Sequence, residues 1–470
     1  MSNSDPTQPG VDVMPLARPT DPDLQEQVSI LNTLVVTVQH FFGGFERLFQ
    51  GLTDRRNPVD TTYPLAVLMA TGVLMFLLRL GARRQIAKLL RENGPSAAKY
   101  QALFGVQSCP HGDTLNYAFV RANVAEVQEV VTRMTEALIR RKVLYRHRLL
   151  DQYFLVAIDG TGMLTFPERH CPSCMTRTCH GRTQYYHPVL EAKLVTPTGF
   201  AFSPMTEFIE NPGENPTKQY CELKAFYRLA KRLKRRFPRL PICLLLDGLF
   251  AGGPTFSICE KNHWKYLIVL QEDDIPYIND EFTALSPLAP EDHLLFRTGI
   301  QLEIQQDLRW VNKIAYVDSK QEEHDVSVIE CLETKPDSDK QPKTTCFKWV
   351  TNINVTIRKV VTLANQGGRL RWKIENEGFN VQKNGGYALE HVYSQDATAG
   401  KIFYLLLQIA HSLSQLIERG SLFRKVFPKG VGSAKNIAFR LLEAWRNLRL
   451  SQVDLQQMLD ARIQIRFTPP

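Results

Sequence analysis

The stretch YFLVAIDGTG, Tyr153 to Gly162, is a short run of apolar and β-favouring residues that closes on Asp159 and a glycine-containing turn. A second run of the same form, LPICLLLDG (Leu240 to Gly248), stays apolar until Asp247, as a strand does at the centre of a sheet covered on both faces. Between the two, HPVLEAKLVT and GFAFSPMTEFI read as strands separated by a Pro-Thr-Gly turn. NPTKQYCELKAFYRLAKRLKRRF then reads as a helix, with Pro216 near its start and a basic C-terminal end that suits the helix dipole.

Three strands, a helix and a fourth strand, with one acid on the first strand and another at the end of the fourth, resemble the element order of the ribonuclease H-like fold. Strands one and four are neighbours in such a sheet, which would bring Asp159 and Asp247 together. After HWKYLIVLQ, the strand-like runs LRWVNKIAYV, VSVIECLET and TCFKWVTNI are joined by polar loops such as ETKPDSDKQPK. RWKIENEGFNVQKNGG, residues 371 to 386, then sets Arg371, Glu375 and Lys383 among apolar residues at helical intervals, and GKIFYLLLQIAHSLSQLIERG leads into a basic helical tail. The expected fold is therefore α/β: a ribonuclease H-like core interrupted by a β-rich insertion and flanked by helical N- and C-terminal domains.

Upstream, residues 28–150 follow a helical period. LAVLMATGVLMFLL, Leu65 to Leu78, is too short to cross a bilayer, which takes roughly 20 apolar residues, and reads as a buried helix. The expected organisation is a disordered Pro-rich tail over 1–27 and a helical, DNA-end-binding domain over 28–150. The core follows over 151–271, a β-rich insertion over 272–356, the rest of the core over 357–420 and a basic helical region over 421–470.

At 470 residues the chain exceeds what one core usually holds, and 44% apolar with 22% charged residues is the balance of a globular protein rather than a disordered one. A net charge of +9 favours a polyanionic partner. The N-terminus lacks the basic and apolar blocks of a signal peptide, and nine cysteines, an odd number, fit reduced thiols in a cytoplasm better than a disulfide framework.

Cutting phosphodiesters calls for hard divalent cations between converging carboxylates. Asp159, Asp247 and Glu375 meet that need in residue type and order, with the two aspartates 88 residues apart. Each has a plainer reading. An Asp before Gly at a strand end commonly forms a turn, and Glu375 could simply pair with Arg371 four residues earlier.

Taken in order, these residues resemble the DDE-type transposases of bacterial insertion sequences, in the group with a Tyr/Arg/Glu/Lys signature on the helix that carries the catalytic Glu. Arg371 and Glu375 match the Arg and Glu of that signature, with Trp372 and Ile374 between them. Gly368 stands at the Tyr position, Gln382 at the Lys position with Lys383 one residue late, and Asp247-Gly248-Leu249-Phe250 replaces the usual Asp-Arg-Gly-Tyr. The resemblance is to a divergent branch and spans roughly residues 100–420. It implies that Asp159, Asp247 and Glu375 hold two Mg²⁺ ions, with Mn²⁺ able to substitute. It further implies that Arg371, Trp372 and Lys383 contact DNA. The implied partners are transposon terminal inverted repeats and target DNA, bound by a homodimer in a bacterial cytoplasm. Two alternatives stay open: another nuclease of the same fold, or an inactive relative that binds DNA without cutting it.

ERHCPSCMTRTCHGRTQYYH, residues 168 to 187, carries a Cys-x-x-Cys pair and further ligands. Cys171, Cys174, Cys179 and His187 form a candidate structural Zn²⁺ site, with His170 or His180 as substitutes; an incidental loop is the plainer reading. KRLKRRFPR, Lys231 to Arg239, is either a solvated helix end or a phosphate-contacting surface.

Overall fold

A computed structural model of the chain describes residues 21–91, 94–179, 181–210, 218–337 and 340–467. Two compact units divide after Asn123 and again before Leu413. The first is helical. Its opening helix, Pro22–Phe42, is capped by Asp21, whose carboxylate accepts from the Asp23 amide at 2.9 Å, so helix begins inside the span expected to be a disordered tail. Residues 1–20 of that tail lie outside the described residues. Leu65–Leu77 is a helix buried almost throughout, and among the described residues no helix is long and apolar enough to cross a membrane. Within the same unit the buried Lys99 caps the Ala434–Asn447 helix, donating to the carbonyls of Trp445 at 2.8 Å and Leu448 at 2.5 Å.

The second unit is a mixed α/β structure built on one ten-stranded sheet. Its strands are β1 (Phe154–Phe166), β2 (Met175–Cys179), β3 (Arg182–Val195), β4 (Ala201–Phe208), β5 (Ile242–Leu246), β6 (Lys265–Val269), β7 (His293–Thr298), β8 (Ile304–Val317), β9 (Glu323–Asp337) and β10 (Lys340–Thr351). They lie in the order β2-β3-β1-β5-β6-β10-β9-β8-β7, with β4 also paired to β3. β5 runs parallel to both β1 and β6; the other pairings are antiparallel. The strands expected to form an inserted subdomain are β8, β9 and β10, and they do not stand apart. β10 pairs with β6, Trp349 opposite Val269, and so carries the sheet onward. The expected loop over residues 333–343 is mostly strand, with Thr344 opposite Thr334 and Lys343 opposite Lys335.

Alternation along the strands assigns the faces. Leu155 and Ala157 of β1 and Cys243 and Leu245 of β5 point into one apolar core with Val360, Leu363, Leu370, Ile374 and Phe379. On the opposite face the Lys218–Arg236 helix lies so close to β1 that a Cβ at Gly160 would collide with the Glu222 carboxylate. Helix Val124–Arg140 packs on β4, where Thr132 and Thr135 donate to the carbonyls of Pro204 and Ser203. It therefore belongs with the sheet rather than with the leading helices.

The segment that follows β10 is not one regular helix. A short α-helix, Val360–Asn365, gives way to a 3₁₀ stretch, Gly368–Trp372, a π turn, Ile374–Phe379, and a last α turn, Asn380–Asn384. Close packing explains the irregularity: the Trp349 indole fills the space where a Gly368 side chain would be, and Gly378 rides on the Lys193 stem, whose carbons would lie 3.0 Å from an added Cβ. Gly368→Ala is therefore expected to cost about 1–3 kcal/mol in urea unfolding through overpacking against the indole. Gly94→Ala, with nothing within 4 Å of the added carbon, should change stability by no more than about 1 kcal/mol.

Candidate functional site

β1 and β5 pair in parallel with a constant offset: Phe154 opposite Ile242, Leu155 opposite Cys243, Ala157 opposite Leu245. The pairing ends there; Asp159 lies two residues further along β1, and Asp247 directly follows the last residue of β5, so an unbroken offset would put the two acids side by side. Asp159 follows the core-facing Leu155 and Ala157 in the alternation of β1, so its side chain leaves on the face covered by residues 360–384, where Arg371 meets it. Each acid is partly exposed.

Glu375 enters from that covering segment. Ile374 is fully buried in the core beneath it, while Glu375 itself is half-buried. Four residues earlier, Arg371 is buried and its Nη1 lies 3.4 Å from Asp159 Oδ2, which ties the segment to β1. Its guanidinium also sits 4.3 Å over the ring of Trp372, which is 52% exposed. Arg371 Nε is buried with no hydrogen-bond partner among the described residues. Glu377 is drawn aside by Lys373 at 2.9 Å.

The structure gives Gly368 and Gln382, the two positions that differ from the expected signature, local packing roles. Gly368 cannot carry a Tyr because Trp349 occupies the room. Gln382 is fully buried, its amide donating to Gln408 Oε1 at 2.8 Å and lying 3.0 Å from His411 Nδ1. Lys383, by contrast, is half-buried, 4.0 Å from Glu390. An i→i+5 turn takes up one residue more than an α turn. The π turn at Glu375 thus brings Lys383 to the angular position that a residue seven on from Glu375 would take in an unbroken α-helix.

Compared with known proteins, the chain matches no protein-family model and no curated protein.

Behind the acids lies a buried polar layer that sequence reasoning missed, because each of its members alternates with apolar neighbours like any strand residue. Glu191 of β3 stands opposite Asp159 and is fully buried, its carboxylate accepting from Thr206 Oγ1 and Tyr404 Oη, each at 2.8 Å. Lys193, also fully buried, donates to Gln408 Oε1 at 2.8 Å. Burial pushes the Glu191 carboxyl up to about 7, against the pull of Lys193, and burial pushes the Lys193 ammonium down to about 8.

Among the described residues two groups of three side chains are close enough to share a metal ion: Cys171, Cys174 and His187, and Asp318, Glu322 and His324; Asp159, Asp247 and Glu375, the ligands expected from the sequence, are not brought together as such a group. In the first, the sulfurs are 3.7 Å apart and each is 3.6 Å from His187 Nε2. Burial holds the His187 imidazole below its ordinary pKa, in the neutral form that binds metals. Cys179 is outside this group, at the end of β2 opposite Arg182. His170 is turned to the Gln395 carbonyl at 2.7 Å, and His180 lies outside the described residues. All nine cysteines are free thiols.

The basic helix end is largely engaged within the unit. Arg228 and Arg232 each reach Glu207 at 2.6 Å, Arg236 reaches Glu136 at 2.5 Å, and Lys234 donates to the Asn262 carbonyl. Lys231 and Arg235 are exposed.

The raised Glu191 carboxyl has a pH consequence. Between its ordinary value of about 4.3 and about 7 the folded state holds a proton that the unfolded state has lost, so stability falls as pH rises through that window. Urea midpoints at pH 5 and pH 7 should differ by less in Glu191→Gln than in the parent chain.

Proposed function

We propose that the chain is a DDE-type transposase with a ribonuclease H-like core, cleaving DNA at transposon ends and joining the freed ends to target DNA. The observation that carries this reading is the parallel pairing of β1 and β5, which places Asp159 on β1 beside the end of β5 that Asp247 directly follows, under the segment that bears Glu375. The strand order β4-β3-β1-β5-β6, with β3 antiparallel to β1 and with β5 and β6 running alongside β1, supports the fold assignment.

Three half-exposed carboxylates without imidazole or thiol among them suit a hard cation, so Asp159, Asp247 and Glu375 would hold two Mg²⁺ or Mn²⁺ ions. Bound there, the ions would supply charge for the attacking and leaving oxygens of an in-line displacement. The remaining roles belong to the protein. Arg371 steadies Asp159 and adds positive charge beside it, which favours a phosphate lying over the acids. Trp372 offers an open ring face, and Lys383 a cation on the same covering segment, to a strand lying over the acids. The homodimer on paired ends follows from the resemblance alone.

The Cys171, Cys174 and His187 group suits zinc. A tetrahedral ion with bonds of about 2.3 Å to sulfur and about 2.05 Å to nitrogen has edges of about 3.8 Å between sulfurs and about 3.6 Å from sulfur to nitrogen, close to the separations in the protein. Its role would be to pin the β2 hairpin. That hairpin also meets the chain beyond Glu375, through Arg177 on Glu390 at 3.0 Å and His170 on the Gln395 carbonyl.

One observation favours a second reading, an inactive DNA-binding relative: the Arg371 guanidinium leans on the very carboxylate that a metal would need.

Cleavage of a labelled duplex carrying the inverted repeat beside the gene separates the two. With Mg²⁺ the parent chain should nick at the element boundary, while Asp159→Asn, Asp247→Asn and Glu375→Gln bind within a few fold and cut at least about a hundredfold more slowly. Binding without cutting by the parent chain, in Mg²⁺ and in Mn²⁺, would establish the second reading instead. Metal analysis of the purified chain should return about one equivalent of zinc fewer in Cys174→Ser than in the parent, with a melting temperature lowered by several degrees.

A further inference from the structure

The turn between β8 and β9 meets the Gly253–Asn262 helix in a cluster that the transposase reading leaves unused. Asp318 closes the turn, its Oδ1 accepting from the amides of Lys320 at 2.7 Å and Glu322 at 2.9 Å. Its other oxygen, Oδ2, is buried with no hydrogen-bond partner among the described residues. Facing it at 3.9 Å is His324 Nε2, also buried and without a partner. The two side chains are 2% and 1% exposed. The histidine's other nitrogen, Nδ1, lies 3.0 Å from Glu260 Oε1. Glu322, on the open side, accepts from Ser257 Oγ at 2.5 Å, and its carboxylate lies within 4.8 Å of both.

Two buried polar atoms that face each other across 3.9 Å are too far apart for a hydrogen bond. Leaving both unsatisfied is costly, and the gap is too narrow for a water with good bonds to each. It is about half an ångström wider than the roughly 3.4 Å edge of a tetrahedral ion with bonds of about 2.0–2.2 Å, a gap that binding would close by a small shift of the two side chains. Glu260 completes the pattern: a carboxylate on Nδ1 fixes the tautomer that leaves Nε2 with its lone pair toward the metal. The imidazole argues against magnesium or calcium, and the two carboxylates argue against a soft ion, which leaves a borderline dication such as zinc.

We propose that Asp318, Glu322 and His324 form a divalent transition-metal site that fastens the β8–β9 turn to the Gly253–Asn262 helix, with Glu260 positioning the imidazole. The site adjoins the helix start: a Cβ at Gly253 would collide with the Asp318 carboxylate, and Gly253 is six residues beyond Asp247. The ion would therefore tie the outer half of the sheet to the loop that carries the second acid.

The test uses the full chain with Cys171→Ser and Cys174→Ser, which removes the thiol site, in millimolar Mg²⁺ to occupy hard carboxylate sites. Calorimetric titration with zinc should give one saturable site. His324→Gln should abolish it, and Glu260→Gln, at a partly exposed position that folding tolerates, should weaken it by about 10–100-fold. Zinc should also slow amide exchange over residues 318–324 in the parent and not in His324→Gln. Absence of zinc binding in the parent, or equal binding in parent and His324→Gln, overturns the proposal and leaves a buried ion-paired histidine only.

Discussion

The parallel hydrogen bonds between β1 and β5 set the spacing of everything else in the sheet unit. A strand pair admits only whole-residue shifts, and a shift of one would turn every side chain of one strand to the other face. Leu155, Ala157, Cys243 and Leu245 oppose such a slip because all four are buried in one core. The place of Asp159 beside the end of β5 that Asp247 follows is thus enforced by apolar packing away from either acid. The third acid depends on the same core, since Ile374 and Phe379 anchor the segment from which Glu375 emerges.

That segment is held by polar contacts as well. Lys193, Gln408 and Gln382 form a buried chain of donors and acceptors beneath it, and Arg371 reaches Asp159 from above. In a medium of low dielectric such contacts are stiff, and losing one partner leaves the others unsatisfied. A 3₁₀ stretch followed by a π turn is a poor local minimum for an isolated peptide. Here Trp349 on one side and the Lys193 stem on the other leave the backbone little choice.

Much of this was legible before any coordinates. The apolar run of LPICLLLDG marks a central strand, and the β8, β9 and β10 runs read as strands set between polar loops. What escaped had no local signature. HLLFRT of β7 is half-exposed on both faces, and its alternation is therefore weak. That β10 would join β6, rather than close a separate subdomain, depends on a partner about 80 residues distant. Glu191 and Lys193 sit in a strand that reads HPVLEAKLVT, where nothing local marks the two charges as buried, yet both are, because helix Ala397–Arg419 supplies Tyr404 and Gln408 to meet them. Gly368 stands where an indole from another strand needs the room, which its neighbours in sequence do not reveal. Cys179 had suitable spacing for a metal and is carried away by the β2 pairing. The Asp318 cluster joins a turn to a helix more than 50 residues earlier, which spacing alone does not reveal.

The late arrival of β10 bears on how the chain is made. β6 is apolar and buried on completion, yet its outer edge waits for residues 349–351. At ordinary rates of synthesis about 80 residues take on the order of ten seconds. During that interval the ribosome displays a half-built sheet with an open, sticky border. An open strand edge is a template for pairing with another chain, and here residues 349–351 are what close it.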